Sequence, residues 1–376
     1  VIAEARGDVQ EGIDIAFLMA GEGRRMFGDT VPSELPDNWA MSIRQPIGIA
    51  GIITPLNFPI AIPCWKMMPA LVTGNAVVFK PASDTPHCAT LLVELMAEAG
   101  FPPGTVNLVT GPGGEVGCAI VESPDVAVIS FTGHSSTGKR IAERAGRRLK
   151  RLALELGGKN AIVVLRDADL DLATDGIVWS AFGTTGQRCT ACSRVIVEEA
   201  VHEALLAKLE ARTRQLRLGD GQDAATDVGP LINAAAREKV EGYIEVGRTE
   251  GELVCGGRPA TGESLAHGQF FEPTIFTGVR PMDRIGQEEI FGPVLSVISV
   301  PDYPAAVTAL NQTRYGLSSS IFTRDVNTAF RAMRDFETGI VYVNAGTTGA
   351  ETHLPFGGWK ETGNGHRAAG HPALAT

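Results

Sequence analysis

The chain has 376 residues, 44% of them hydrophobic and 20% charged, with 44 glycines, 22 prolines and a formal net charge of -10. This is enough chain for two domains with separate cores, and the glycine and proline content carries no collagen-like or low-complexity repeat. The acidic balance argues against nucleic acid or an anionic membrane as main partner, and no apolar run reaches the ~20 residues a bilayer span needs.

In chain order, residues 1–27 predict an amphipathic helix ending near Gly28. The helical pattern is already under way at Val1, so the chain is expected to lack an N-terminal part. Residues 29–46 are polar and extended around 40–44, the pattern of a hairpin or arm. Strands are predicted at 47–54, 76–80, 106–110 and 126–131, and helices at 59–71, 87–99 and 137–145. The same rhythm continues with strands at 160–165, 194–197, 294–300 and 318–322 and helices at 169–182, 201–215 and 233–250. Short strands alternating with helices indicate parallel α/β sheets, whose ligands sit at the carboxyl ends of strands. Two lobes are expected, joined near 155–160, and such a joint favours an active site.

Four stretches carry chemistry. Cys189 lies in Gly186-Gln187-Arg188-Cys189-Thr190. A cysteine attacks only as thiolate, and neighbouring Arg188 can favour that form. An inert packed cysteine is the plainer reading. The Cys189–Cys192 spacing also permits a redox or zinc pair, but zinc needs a second pair, and Cys64, Cys88, Cys118 and Cys255 are isolated. Scattered cysteines fit a reducing compartment, here taken as cytoplasmic. Glu155, between leucines and before Gly157-Gly158, becomes a general base if burial raises its pKa; otherwise it is a partly exposed strand-end glutamate. Asn57, in Thr54-Pro55-Leu56-Asn57-Phe58-Pro59, either donates to an oxyanion or serves a turn. Phe131 to Lys139, FTGHSSTGK, lies between strand and helix, where backbone amides can receive phosphate, although strand–glycine–helix turns are common.

Together these stretches resemble the aldehyde dehydrogenase superfamily over essentially the whole chain. The matching segments, in the family's order, are TPLNFP (54–59), WKMMPALVTGN (65–75), FKPASDTP (79–86), FTGHSSTG (131–138), LELGGKN (154–160), GQRC (186–189), EEIFGPV (288–294) and PFGG (355–358). The resemblance implies two Rossmann-like α/β domains plus a small oligomerisation arm: a cofactor domain at 1–157 with the arm at 28–46, a catalytic domain at 158–360, and a C-terminal segment at 361–376 returning towards the cofactor domain. It places the nucleophile on Cys189, the general base on Glu155, the oxyanion amide on Asn57 and a proton-transfer lysine on Lys66. Thr54, Pro55, Lys80, Ser83, Gly133, His134, Gly157, Glu289 and Phe291 fall on its cofactor positions. Trp65, Arg188, Thr190 and Phe356 fall on the substrate pocket, and no metal is implied.

Three positions depart from the family's pattern. His134 replaces a serine, and Leu56 a tryptophan. Ser83 stands where many NAD-specific members carry a glutamate that repels a 2′-phosphate, so NADP is expected alongside NAD. GQRCTACSR (186–194), GAETHLPFGG (349–358) and TGNGHR (362–367) look like members acting on semialdehydes, with Arg188 either pairing with a substrate carboxylate or supporting its own loop. A homodimer or homotetramer is implied. The rival readings are a broad-specificity enzyme with esterase side activity and an inactive truncated relative.

Overall fold

The computed structural model describes residues 1–375, which divide into two compact units. The Glu155 unit comprises residues 7–155, 351–356 and 366 onward; the Cys189 unit comprises 1–6, 156–350 and 357–365. Helix α1 (Ile2–Glu22) gives its first turn to the Cys189 unit and the remainder to the Glu155 unit.

In the Glu155 unit, α1 is followed by an antiparallel hairpin, β1 (Thr30–Pro32) and β2 (Trp39–Met41), in the segment expected as an arm. Strand β3 (Ile49–Ile53), helix α2 (Ala61–Val72), β4 (Ala76–Lys80), α3 (Pro86–Glu98) and β5 (Val106–Leu108) come next. A π-helical turn (Gly113–Gly117) leads into α4 (Cys118–Glu122), β6 (Val126–Thr132), α5 (Ser135–Gly146) and β7 (Arg151–Glu155). The five strands form a parallel sheet ordered β5-β4-β3-β6-β7, so the strand order reverses beside β3 and β6. Helix α2 has no side-chain cap of its own; Asp8 of α1 supplies one, accepting from the Ile60 and Ala61 amides at 3.1 and 2.8 Å. A cap of this kind contributes about 1 kcal/mol.

The Cys189 unit holds β8 (Asn160–Val164), α6 (Leu170–Phe182), β9 (Cys192–Glu198), α7 (Glu199–Thr213), α8 (Ala234–Glu250), β10 (Glu252–Cys255) and β11 (Thr274–Thr277). It continues with α9 (Arg284–Gln287), β12 (Val294–Val300), α10 (Tyr303–Asn311), β13 (Tyr315–Gly316), β14 (Ser318–Phe322), α11 (Val326–Asp335), β15 (Ile340–Val343) and β16 (Trp359–Lys360). Seven strands form one sheet in the order β10-β11-β12-β9-β8-β14-β15, parallel except at β10, while β13 and β16 make a separate pair. Helices cover both faces, which is why β8 reads as a continuous apolar run: Ala161, Ile162, Val163 and Val164 are all at most 1% exposed. Each such Ile or Val contributes roughly 1.5–3 kcal/mol of burial. Asp169, Asn233, Asp302 and Asp325 cap α6, α8, α10 and α11 through their side chains.

The division differs from the expected 1–157, 158–360 and 361–376. The boundary falls before Leu156, because its amide donates to the Thr362 carbonyl at 2.7 Å within the Cys189 unit. Residues 351–356 leave the expected catalytic stretch, because Phe356 and Thr352 accept from the amides of Ala368 and Gly370 in the Glu155 unit. Of the segment expected to return towards the cofactor domain, residues 361–365 stay in the Cys189 unit; from residue 366 on the chain belongs to the Glu155 unit, where the Nδ1 of His371 lies 2.7 Å from Glu22. Residue 376, the end of that segment, lies outside the described residues.

Candidate active site

In the Glu155 unit the expected residues gather at the carboxyl edge of the sheet. Thr54 and Pro55 follow β3, Lys80 ends β4, Ser83 lies three residues on, and Gly133 and His134 follow β6. That edge, where strand order reverses, is where such sheets take nucleotides. Asn57 lies in the β3–α2 connection, is 6% exposed, and its amide makes no hydrogen bond among the described residues. The next residue, Phe58, holds φ +54°, a left-handed conformation rare outside glycine.

Glu155 ends β7 at 4% exposure, and both carboxyl oxygens are buried without a hydrogen-bond partner among the described residues. Desolvation pushes its pKa up to about 8 against the opposing pull of Lys66 and Arg367. Lys66, on α2, is equally buried; desolvation lowers it to about 8, opposed by Glu155. Its ammonium donates to the Ser130 hydroxyl at 3.2 Å. A cavity of about 60 Å³ is lined by Trp65, Lys66, Ser130 and His366. Burial, then Lys66 and Arg367, lower His366 to about 4, so its imidazole is neutral at pH 7. Trp65 packs edge-on against Phe356, with ring centroids 4.7 Å apart.

Lys80 is 3% exposed and donates to the Pro81 carbonyl at 2.8 Å. Ser83 is exposed, with its hydroxyl 3.4 Å from the Gly111 carbonyl. His134 caps α5: its Nδ1 accepts from the Ser136 amide at 3.2 Å, which leaves the proton on Nε2. At Gly133 a Cβ would lie 2.6 Å from the Phe131 ring. A cavity of about 280 Å³ beside β3 and β6 is lined by Gly113, Gly117, Phe131, Thr137, Arg140 and Arg144. Thr137 belongs to the FTGHSSTG stretch itself; Arg140 and Arg144, which no motif marks, are signalled only by their position in the turns of α5 that follow it.

In the Cys189 unit the nucleophile candidate sits at the other kind of strand end. Cys189 precedes β9, and Glu289 and Phe291 precede β12, so all three lie at the amino edge of the seven-stranded sheet rather than the expected carboxyl edge. The reason is local: Asn160 opens β8 and donates to the carbonyls of Cys189 and Ala191 at 2.7 and 2.9 Å. Its own carbonyl accepts from the Ser318 amide at 3.0 Å, so one 3%-exposed asparagine ties the starts of β9 and β14 to β8. The two glycines before it are required by contact. A Cβ on Gly157 would lie 2.5 Å from the Glu289 carboxylate, and one on Gly158 would lie 2.7 Å from the Cys189 carbonyl. Glu289 accepts from the Gly158 amide at 3.0 Å. Phe291 holds φ +62°.

The loop before Cys189 is strained. Thr184 and Thr185 adopt left-handed φ/ψ values of 51°/30° and 57°/32°, and a β-branched residue there costs about 1–3 kcal/mol. The Thr185 hydroxyl donates to the Gly229 carbonyl at 3.0 Å, and the Gln187 amide donates to the Thr184 carbonyl at 3.0 Å. Arg188 has a side chain only 9% exposed. Its Nε donates to the Thr184 hydroxyl at 2.6 Å, a guanidinium nitrogen lies 3.6 Å from Glu4, and the group stacks over Trp179 at 5.4 Å. These contacts favour loop support over pairing with a substrate. Thr190 is buried, and its carbonyl accepts from the Thr347 hydroxyl at 2.7 Å. Cys192 is 1% exposed and burial pushes its thiol up to about 12, so it behaves as a packed residue and not as the second half of a redox pair.

The two units, each a largely parallel sheet with helices, one carrying a buried carboxyl beside a topological switch point and the other a cysteine held at the sheet edge, are of the doubly wound α/β class that takes nucleotides at such edges. Comparison with known proteins narrows the class. The chain belongs to the aldehyde dehydrogenase family, whose profile matches residues 1–376. It is 40% identical over 373 residues to the α-ketoglutaric semialdehyde dehydrogenase of Bacillus subtilis, covering 99% of this chain and 76% of that protein. It is 42% identical over 360 residues to the α-ketoglutarate semialdehyde dehydrogenase of Haloferax volcanii, covering 96% and 74%. A crystal structure of betaine aldehyde dehydrogenase from Staphylococcus aureus in complex with NAD+ superposes with a TM-score of 0.97 at 35% identity, over 100% of this chain and 74% of that one. No helix among the described residues is long and apolar enough to cross a membrane.

Proposed function

We propose that the protein oxidises a carboxylate-bearing semialdehyde to the corresponding acid with NAD(P)+. The observation that carries the reading is the Glu155 carboxyl. It is fully buried and without a hydrogen-bond partner among the described residues, and its pKa is raised to about 8, the condition of a general base working near neutral pH. The semialdehyde class rests on the relatives at 40 and 42% identity, both named for α-ketoglutaric semialdehyde.

The Cys189 thiolate attacks the aldehyde carbon, and the amide of Asn57 and the backbone N–H of Cys189 donate to the oxyanion. When bound, nicotinamide supplies the acceptor for the hydride that leaves the thiohemiacetal carbon. Glu155 then takes a proton from water, whose oxygen attacks the thioester carbon and frees the acid and the Cys189 sulfur. Lys66, hydrogen-bonded to Ser130, stands beside Glu155 electrostatically and relays that proton. The chain's residues suit the dinucleotide: Gly157 keeps clear a space that a Cβ would fill against Glu289, and the cavity beside β3 and β6 offers Arg140 and Thr137. In this assignment Lys80, Ser83, Gly133 and His134 hold the adenosine and pyrophosphate side, and Glu289 and Phe291 hold the nicotinamide side. His134 presents its Nε2–H as a donor to phosphate.

Two variants test the roles. Cys189→Ala should abolish aldehyde-dependent NAD(P)H formation. Glu155→Gln should stall with an acyl group on Cys189, visible as added mass on the intact protein; normal turnover by Glu155→Gln would sink the assignment. For the substrate class, a panel of aliphatic, aromatic, cationic and carboxylate-bearing aldehydes should give the highest kcat/KM with the last, and a preference for the cationic aldehyde would overturn it. Assembly as a homodimer or homotetramer through the 28–46 hairpin belongs to the same proposal, and sedimentation would check it.

A further inference from the structure

Glu4 lies in the first turn of α1, far in sequence from every residue given a catalytic or binding role above. An acid there has a plain explanation, since a carboxylate favours the positive end of a helix. Its contacts say more. The side chain is 6% exposed, and its Oε1 accepts from the Thr184 amide at 2.5 Å. The same oxygen lies 3.6 Å from the Arg188 guanidinium. A Cβ added to Gly183 would lie 3.4 Å from it, so the loop runs directly alongside. The amide that Glu4 holds belongs to the first of two left-handed threonines, in a conformation that β-branched residues do not adopt unaided. Arg188, one residue before the nucleophile, is therefore fixed at both ends: its Nε donates to the Thr184 hydroxyl and its far nitrogen faces Glu4.

We infer that Glu4 is a positioning residue for the nucleophile: by accepting from the Thr184 amide and facing Arg188, it holds the 183–188 loop in its left-handed conformation and so sets the direction of the Cys189 thiol. Asn160 fixes the carbonyl of Cys189 from the following side, and Glu4 fixes the chain that leads into it. The inference rests on the proposal that Cys189 is the nucleophile, and the test separates the two.

The measurement is the rate at which iodoacetamide alkylates Cys189, followed by mass of the peptide that carries it, across pH in the folded protein. Steady-state kcat and KM are taken alongside. Glu4→Gln keeps an oxygen acceptor for the Thr184 amide and should stay within about threefold of wild type. Glu4→Ala loses the acceptor and Glu4→Asp cannot reach it. Both should slow alkylation and kcat in parallel by about tenfold or more, as a displaced reacting group does, with KM for the cofactor little changed. A merely structural role would lower the melting temperature and leave the alkylation rate of folded protein as it was. If Glu4→Ala does not fold, Glu4→Asp decides. Alkylation of either folded variant at the wild-type rate overturns the inference. Aldehyde oxidation surviving in Cys189→Ala would instead overturn the nucleophile assignment, while the alkylation rates still report on Glu4.

Discussion

Lys66 and Glu155 are two fully buried ionisable side chains of one unit, and each opposes the shift that burial imposes on the other. Desolvation wins for both: the carboxyl is raised to about 8 and the ammonium is lowered to about 8. Near neutrality the unit therefore holds a carboxyl ready to lose its proton and an amine ready to release one.

The rate consequence has a definite sign. Glu155 acts as a base only when deprotonated, so kcat for thioester hydrolysis should rise with pH and level off above about 8. Stopped-flow measurement of deacylation between about pH 6 and 9 should show that limb, and Glu155→Gln should lack it. A flat wild-type profile over the range would remove Glu155 from the base role.

The same groups shape stability. For Glu155 the folded pKa lies above the ordinary 4.5, so its stabilising contribution is whole below that value and is lost as pH rises towards about 8. For Lys66 the folded pKa lies below 10.5, so its contribution is whole above that value and is lost as pH falls through about 8. The pair thus places a minimum near pH 8. Glu155→Gln removes the first limb, and its advantage over wild type in urea should grow from about pH 5 to 8 by on the order of a few kcal/mol. An advantage that does not change with pH would contradict the assignment.

Asn160 is the joint of the Cys189 unit. Replacing it with alanine strands the Cys189 and Ala191 carbonyls and the Ser318 amide. The expected cost is about 2–4 kcal/mol in chemical denaturation, with kcat lowered more than KM is raised. Asn160→Asp should be worse than alanine, since a carboxylate would face two carbonyl oxygens. Wild-type stability in either variant would show the clamp to be dispensable.

Ser83 offers a cofactor test. It is exposed and bears no charge, so nothing at that position repels a 2′-phosphate. Ser83→Glu should raise KM for NADP by about tenfold or more while changing KM for NAD little, by simple charge repulsion. A wild-type preference for NAD of many hundredfold would refute the premise.

Much of this was legible in the residues. Strands 76–80 and 318–322 match β4 and β14 end for end, because each is a short β-branched, aromatic or serine-rich run between clear turn signals. Strand β7, which delivers Glu155, falls outside the strands expected from the sequence: it begins at Arg151 in a run of basic residues, and only its last three residues are buried, too short an apolar stretch to mark a strand. Strands β11 and β15 have four residues each, too few for a period to register. The motif residues could be placed on strand ends, but their roles within a unit could not. The pairing of Gly157 with Glu289 spans 132 positions of sequence, and Asn160 gives no periodic signal that marks it as a clamp. Arg188 invites a substrate reading from its neighbour alone; only its partners Thr184, Glu4 and Trp179 recommend the other.

The left-handed threonines at 184 and 185 bear on how this protein responds to engineering. Glycine would relieve that backbone but would also remove the hydroxyls that meet Gly229 and Arg188 and would free the unfolded chain. The same relief loosens the approach to the reactive sulfur. A glycine at either position should therefore give a slower catalyst with little or no gain in heat tolerance.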